Sequence, residues 1–155
     1  ATRYFLIARA PSSQLSFDID LALSQTNDNP VYYIQYAHAR CCSVVRKASE
    51  ILAEWTPEDG LDHLGELEDP EALVLSMNLG RFPEVVQTAA DRLEPHDIAN
   101  YLRQIASLFH SFYNAHKILE PEESTSLARL TLVSATRQVI ANGLCLLGIS
   151  APERM

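Results

Sequence analysis

Between Pro30 and Trp55 apolar residues recur at Val31, Ile34, Cys41, Val45, Ala48, Leu52 and Trp55, the three-and-four spacing of a helix with one buried face. Asn29 can cap its first turn and Pro30 suits the first helical position, so the pattern predicts a helix from Pro30 to about Trp55. A second long pattern, Leu127, Leu130, Val133, Ile140 and Leu144, predicts a closing helix that begins near Pro121 and stops at Gly148. Between them, Asp69-Pro70 starts a helix running to Leu79, with Gly80 ending it in a left-handed conformation. Another covers about Pro83–Leu93, and Pro95 opens one that continues through His110 to Leu119. Residues 1–9 fit either a strand or a short helix, Pro11-Ser12-Ser13 marks a connection, residues 18–25 read as helical, and Thr26-Asn27-Asp28 as a polar turn. Pro57, Gly60 and Gly65 interrupt the pattern in between. The expected fold is all-α, a helical bundle with short, proline-punctuated loops.

One helix carries more than a core face. At roughly 100° per residue, Tyr33, Tyr36, Arg40 and Lys47 fall on a stripe displaced by about a third of a turn from the apolar one. Two readings stand. A tyrosine at helical spacing can rim the core with its ring buried and its hydroxyl wet. Rings beside cations can also stack bases and hold phosphates.

At 155 residues and 47% hydrophobic composition the chain suits one core, so residues 1–155 are expected to form a single domain. No apolar run approaches the about 20 residues that span a bilayer, and no charged leader precedes an apolar stretch. A soluble, cytoplasmic chain with no membrane partner is the expectation. Cys41, Cys42 and Cys145 lack zinc-type spacing and read as reduced, packed thiols. The five histidines include no pair at the separation of a helical metal site, so no metal is expected. The net charge of −8 argues against a nucleic-acid partner until its distribution is examined. Residues 1–50 carry five basic and four acidic side chains, residues 51–100 two and twelve, and residues 101–155 five and four. Glu54, Glu58, Asp59, Asp62, Glu66, Glu68, Asp69 and Glu71 form a run with no Lys or Arg, expected to be a solvated loop and first helical turns. The remainder is close to neutral, and an RNA-binding face is possible there.

Residues 27–40, Asn-Asp-Asn-Pro-Val-Tyr-Tyr-Ile-Gln-Tyr-Ala-His-Ala-Arg, resemble the signature of bacterial arginyl-tRNA synthetases, in the helical domain that follows the class I catalytic core. Ala1-Thr2-Arg3-Tyr4-Phe5 is similar to the Asp-Ala-Leu-Arg motif that names this domain, although Thr2 replaces the Leu and the Asp would precede Ala1. Ser16–Ala22, Phe109–Asn114 and Gly143–Met155 resemble further family segments in the expected order. The resemblance implies that the chain is roughly the C-terminal third of a longer enzyme, with residues 1–13 as a junction from the catalytic core and 14–155 as the bundle. It implies a parent that uses ATP and Mg2+ to join arginine to tRNA. This domain would need no cofactor of its own and would bind the anticodon loop of arginine tRNA, as a monomer, with no role for DNA.

Carried over by motif, the residues against the anticodon are Tyr36 with neighbouring Tyr33, Ala39 and Arg40, and Met155; Lys47 joins them from the stripe. Met155 is unexpected, since a terminal residue is usually frayed. Phe109, Phe112 and His116 follow core spacing, while Tyr113 and Asn114 are offset and are weaker candidates for RNA contact. Arg129 and Arg137, about two turns apart on the last helix, are candidates for phosphate contact or for ordinary ion pairs. No glycine-rich phosphate loop, nucleophile elbow or class I ATP-binding motif is present, so no catalytic residue is assigned. The competing reading is a helical protein-interaction or oligomerisation module that uses the aromatic stripe without RNA.

Overall fold

The computed structural model describes residues 1–10, 17–52, 55–119 and 123–155. Pro11-Ser12-Ser13, Ser16, Glu54 and the Pro121 start of the last helix lie outside the described residues. Among the described residues the chain forms helices α1 (Thr2–Ile7), α2 (Ile19–Leu23), α3 (Pro30–Ile51), α4 (Pro70–Gly80), α5 (Phe82–Arg92), α6 (His96–Ala115) and α7 (Glu123–Leu146), with a 3-10 helix at Pro57–Glu66 and no strand. None of these helices is long and apolar enough to cross a membrane.

The centre is α3 packed against α6 and α7, with α4 and α5 laid on α6 and the 3-10 helix laid along α7. Ile34, Cys41, Ile105, Phe109, Phe112, Val133, Ile140 and Leu144 are fully enclosed where the three long helices meet. This matches the apolar stripes read from the sequence on α3 and α7. Phe109 and Phe112 are core residues, as their spacing implied. Within residues 1–9, Thr2–Ile7 form a helix rather than a strand, and Tyr4 of α1 lies in the same core. Asn29 fixes the start of α3 from both sides. Its Oδ1 accepts from the backbone N–H of Val31 at 3.2 Å and Tyr32 at 3.4 Å, while its Nδ2 donates to the Ser24 carbonyl at 2.8 Å.

Four expectations need correction. Gly80 does not take a left-handed conformation; α4 ends in a right-handed turn at Arg81, φ −80° and ψ −7°, that leads directly into α5. Among the described residues the left-handed positions are Leu93, φ 56°, and Gly148, φ 64°. The helices also stop short of their apolar patterns, α3 at Ile51 and α6 at Ala115. In place of a loop, the acidic segment forms the 3-10 helix, because Gly60 lets it approach α7 closely and Thr131 donates to the Pro57 carbonyl at 2.6 Å. Finally, Cys41 and Cys42 are packed thiols, but Cys145 is exposed.

Candidate nucleic-acid interface

The second stripe of α3 forms one wall of a hollow of about 500 Å³, through Tyr36, Ala39, Arg40, Ser43, Val44, Arg46 and Lys47. Residues at separations of three and four share a helix face, which explains why Tyr36, Arg40, Ser43 and Lys47 arrive together. The opposite wall is Tyr113 of α6, and the floor is closed by Glu153, Arg154 and Met155. The stretch that leads to them is anchored as far as Pro152. Gly148 turns the chain after α7, its carbonyl accepts from Arg3 Nη1 at 2.8 Å, and Leu147 is buried in the core. Gln35 Nε2 then donates to the Ser150 carbonyl at 2.8 Å, and His38 Nδ1 donates to the Pro152 carbonyl at 2.9 Å. The segment is thereby laid against α3 with its end in the hollow.

Arg40 is the centre of the site. Its guanidinium carbon lies 4.7 Å from the ring centroid of Tyr36 and 4.7 Å from that of Tyr113, and it donates to the Tyr36 hydroxyl. Two rings from different helices therefore hold one planar cation, a cation–π arrangement that arginine suits better than lysine. Four cations, Arg40, Arg46, Lys47 and Arg154, line the hollow against one side-chain carboxylate, Glu153. The overall acidity of the chain does not extend to this face.

Two further hollows adjoin. One, of about 710 Å³, lies across Tyr36 and Arg40 and is lined by Gln25, Thr26, Asn27, Tyr32, Tyr33, His110 and Asn114. The other, of about 370 Å³, shares Val44, Lys47 and Tyr113 and continues to Lys117, Ile118 and Leu119. The His110 ring underlies the aromatic group, with ring centroids 4.8 Å from Tyr33 and 5.7 Å from Tyr36. Burial, and next the Arg40 charge, push its pKa down to about 4, so the imidazole is neutral at physiological pH.

The structure brings together Tyr36, Ala39, Arg40, Lys47, Tyr113 and Met155, and places Tyr33 and Asn114 in the adjoining hollow. Ala39 is buried and contributes little surface. Arg129 and Arg137 do not line these hollows. Arg129 pairs with Asp69 at 3.3 Å and donates to the Lys117 carbonyl at 2.7 Å, with its side chain only 11% exposed. Its ion-pair role is the one observed, and the phosphate role is withdrawn. Arg137 lies near Cys41 and Cys42 on the inner side of α7, half-buried. Sequence reasoning missed Ser43, Arg46 and His110. Ser43 was within reach, three residues beyond Arg40 on the same stripe. Outside the interface, Glu94, His96 and Asp97 bring ligand-capable atoms within 4.8 Å of one another, a mixed set that a search for paired histidines does not consider.

Known proteins share the sequence and the fold. Residues 34–155 match the model of the DALR anticodon binding domain. The chain is 50% identical over all its 155 residues to the arginine–tRNA ligase of Delftia acidovorans, covering 27% of that protein. It is likewise 50% identical to that of Legionella pneumophila strain Corby, covering 26%. It thus spans about a quarter of the length of these curated relatives. Among solved structures, the arginyl-tRNA synthetase of Thermus thermophilus superposes with a TM-score of 0.82 at 35% identity, over 99% of this chain and 26% of that one. The arginyl-tRNA synthetase of Plasmodium falciparum shares the fold, with a TM-score of 0.82 at 24% identity over 99% of this chain and 26% of that one. By its sequence, its helical order and its match to the family model, the chain belongs to the DALR anticodon-binding domain family.

Proposed function

We propose that this chain is the part of an arginyl-tRNA synthetase that reads the anticodon loop of arginine tRNA. The observation that carries the reading is the hollow in which Tyr36, Arg40 and Tyr113 meet Met155 beside three further cations, Arg46, Lys47 and Arg154. Single-stranded loops are recognised by splaying bases onto flat side chains while cations hold the backbone. Tyr36 and Tyr113 offer the flat surfaces and Arg40 a planar cation with free donors. Arg46, Lys47 and Arg154 are placed for phosphate oxygens. The neutral His110 beneath them adds no charge. The whole protein, on this reading, activates arginine with ATP and Mg2+ and esterifies it to tRNA, working as a cytoplasmic monomer with neither DNA nor membrane as partner. A protein-interaction module is the weaker account, because the aromatic stripe faces a cationic hollow rather than a contiguous apolar patch.

The test is titration with an arginine tRNA anticodon stem-loop across a salt series. Tyr36→Ala should weaken binding by roughly 1–3 kcal/mol through lost stacking, with little change of salt slope. Lys47→Ala should lower the slope by about one phosphate contact. Equal affinity of wild type and a folded Tyr36→Ala variant removes Tyr36 from the interface, and no binding by wild type at low salt overturns the function.

A further inference from the structure

The hollow across Tyr36 differs in chemistry from the one beside it. Arg40 is its one cation, where the first hollow has four. Apart from the Thr26 hydroxyl, the rest of its wall is aromatic and amide, with Tyr33, Tyr36, His110, Asn27 and Asn114 among its residues. That composition suits the face and edge of a base better than a phosphate. His110 is 9% exposed, and its Nε2 is buried with no hydrogen-bond partner. The ring is neutral and therefore has a single N–H to give; its other nitrogen meets the Tyr33 backbone. Nε2 is left as a bare acceptor. An acceptor buried without a donor is costly, and such exceptions in a folded protein call for an explanation. A ligand carrying an N–H would satisfy it.

We propose that this hollow is a second base subsite, which takes an unpaired amino-bearing nucleobase, stacks it on Tyr33 and Tyr36, and reads its amino group with His110 and Asn114. The proposal rests on the reading of the chain as an anticodon-loop binder and extends it from one base to two. Because Nε2 is covered in the free protein, the tyrosine rings above it must shift as the base enters. Tyr36 borders both hollows, so the two bases fall on opposite sides of one side chain.

The experiment uses arginine tRNA anticodon stem-loops in which each loop nucleotide in turn is abasic, titrated against wild type, His110→Phe and Asn114→Ala. Wild type should lose affinity about tenfold at two separate positions, the scale of one stacked base at each. At one of them the loss should vanish in both variants, and an analogue lacking the amino group should reproduce most of it in wild type. His110→Phe removes an unmet acceptor together with the bond to the Tyr33 backbone, and as the two offset it should melt close to wild type while binding more weakly, a pairing that a merely structural role would not give. If the stem-loop binds but every position responds alike in wild type and both variants, the second subsite is overturned and the first reading stands. A His110→Phe variant that melts well below wild type, with Asn114→Ala unchanged at every position, overturns it as well. Absence of any stem-loop binding removes both readings together.

Discussion

Gln35, on the second turn of α3, donates through Nε2 to the carbonyl of Ser150, 115 positions later, at 2.8 Å. With His38 on the Pro152 carbonyl, it determines where Arg154 and Met155 lie. One exposed neutral hydrogen bond contributes about 0.5–1.5 kcal/mol, so Gln35→Ala should barely change the melting temperature. The effect should be local. Amides of residues 150–155 should exchange faster with solvent, and stem-loop affinity should fall. Unchanged exchange there would mean that the packing of Leu147 and Ile149 holds the segment without help.

Gly60 meets α7 so closely that a Cβ placed on it would lie 2.2 Å from the Leu127 carbonyl oxygen and 2.3 Å from Thr131 Oγ1. The nearer obstacle is backbone, which cannot swing aside. Gly60→Ala should therefore destabilise the chain by about 1–3 kcal/mol or more, by forcing the 3-10 helix off α7. Denaturant unfolding measures this. A variant as stable as wild type would show that the segment moves freely relative to α7.

Leu93 ends α5 in the left-handed region, φ 56°, where a side chain costs roughly 1–2 kcal/mol relative to glycine. The turn is held by the Glu94 N–H on the Ala89 carbonyl at 2.9 Å, and the leucine is 82% exposed. Little packing is lost on removing it. Leu93→Gly should stabilise the fold by about 0.5–1 kcal/mol after the greater freedom of glycine in the unfolded chain is set against the relief. Thermal melts would show a rise; a fall would reveal a packing role for this side chain.

Acid should act on the fold in two stages. The His110 pKa lies near 4 in the folded chain and at the ordinary value of about 6.5 in the unfolded one. Between those values the unfolded chain takes up a proton that the folded chain refuses, so stability falls as pH drops from 6.5 towards 4, by an amount on the order of 1–3 kcal/mol. Glu71 acts at lower pH. Its carboxyl is held below the ordinary 4.5, first by its own backbone N–H at the start of α4 and then by His116, whose Nε2 lies 3.2 Å away. That contribution is present above 4.5 and is lost as pH falls further. Stability against denaturant, measured across pH, should show both limbs, and His110→Phe should remove only the upper one.

The legible parts of the fold were those written in local sequence. Asn29-Pro30 marked the start of α3, and three-and-four spacing put Tyr36, Arg40 and Lys47 on one stripe because a helix alone fixes that geometry. What local sequence could not show was the other wall. Tyr113 joins Arg40 only because α6 packs on α3, and Arg154 arrives only because Gln35 and His38 capture the returning chain. Arg129 failed as a phosphate candidate for the same reason: its partner Asp69 lies 60 positions away, where helical spacing says nothing. Gly80 misled in another way. Glycine permits a left-handed cap without requiring one, and Phe82 packing on Tyr101 favours the tight α4–α5 turn actually adopted.

Arg40 sits between rings contributed by two helices, and both helices are anchored in the core. A free arginine would sample many rotamers and lose them on meeting a ligand. Here that ordering precedes the encounter, so the consequence is one of timing. If the hollow takes an anticodon loop as proposed, arrival would be governed by diffusion and by the cations around the rim, much the same for a right or a wrong sequence. The distinction would be drawn afterwards, in how long each one stays.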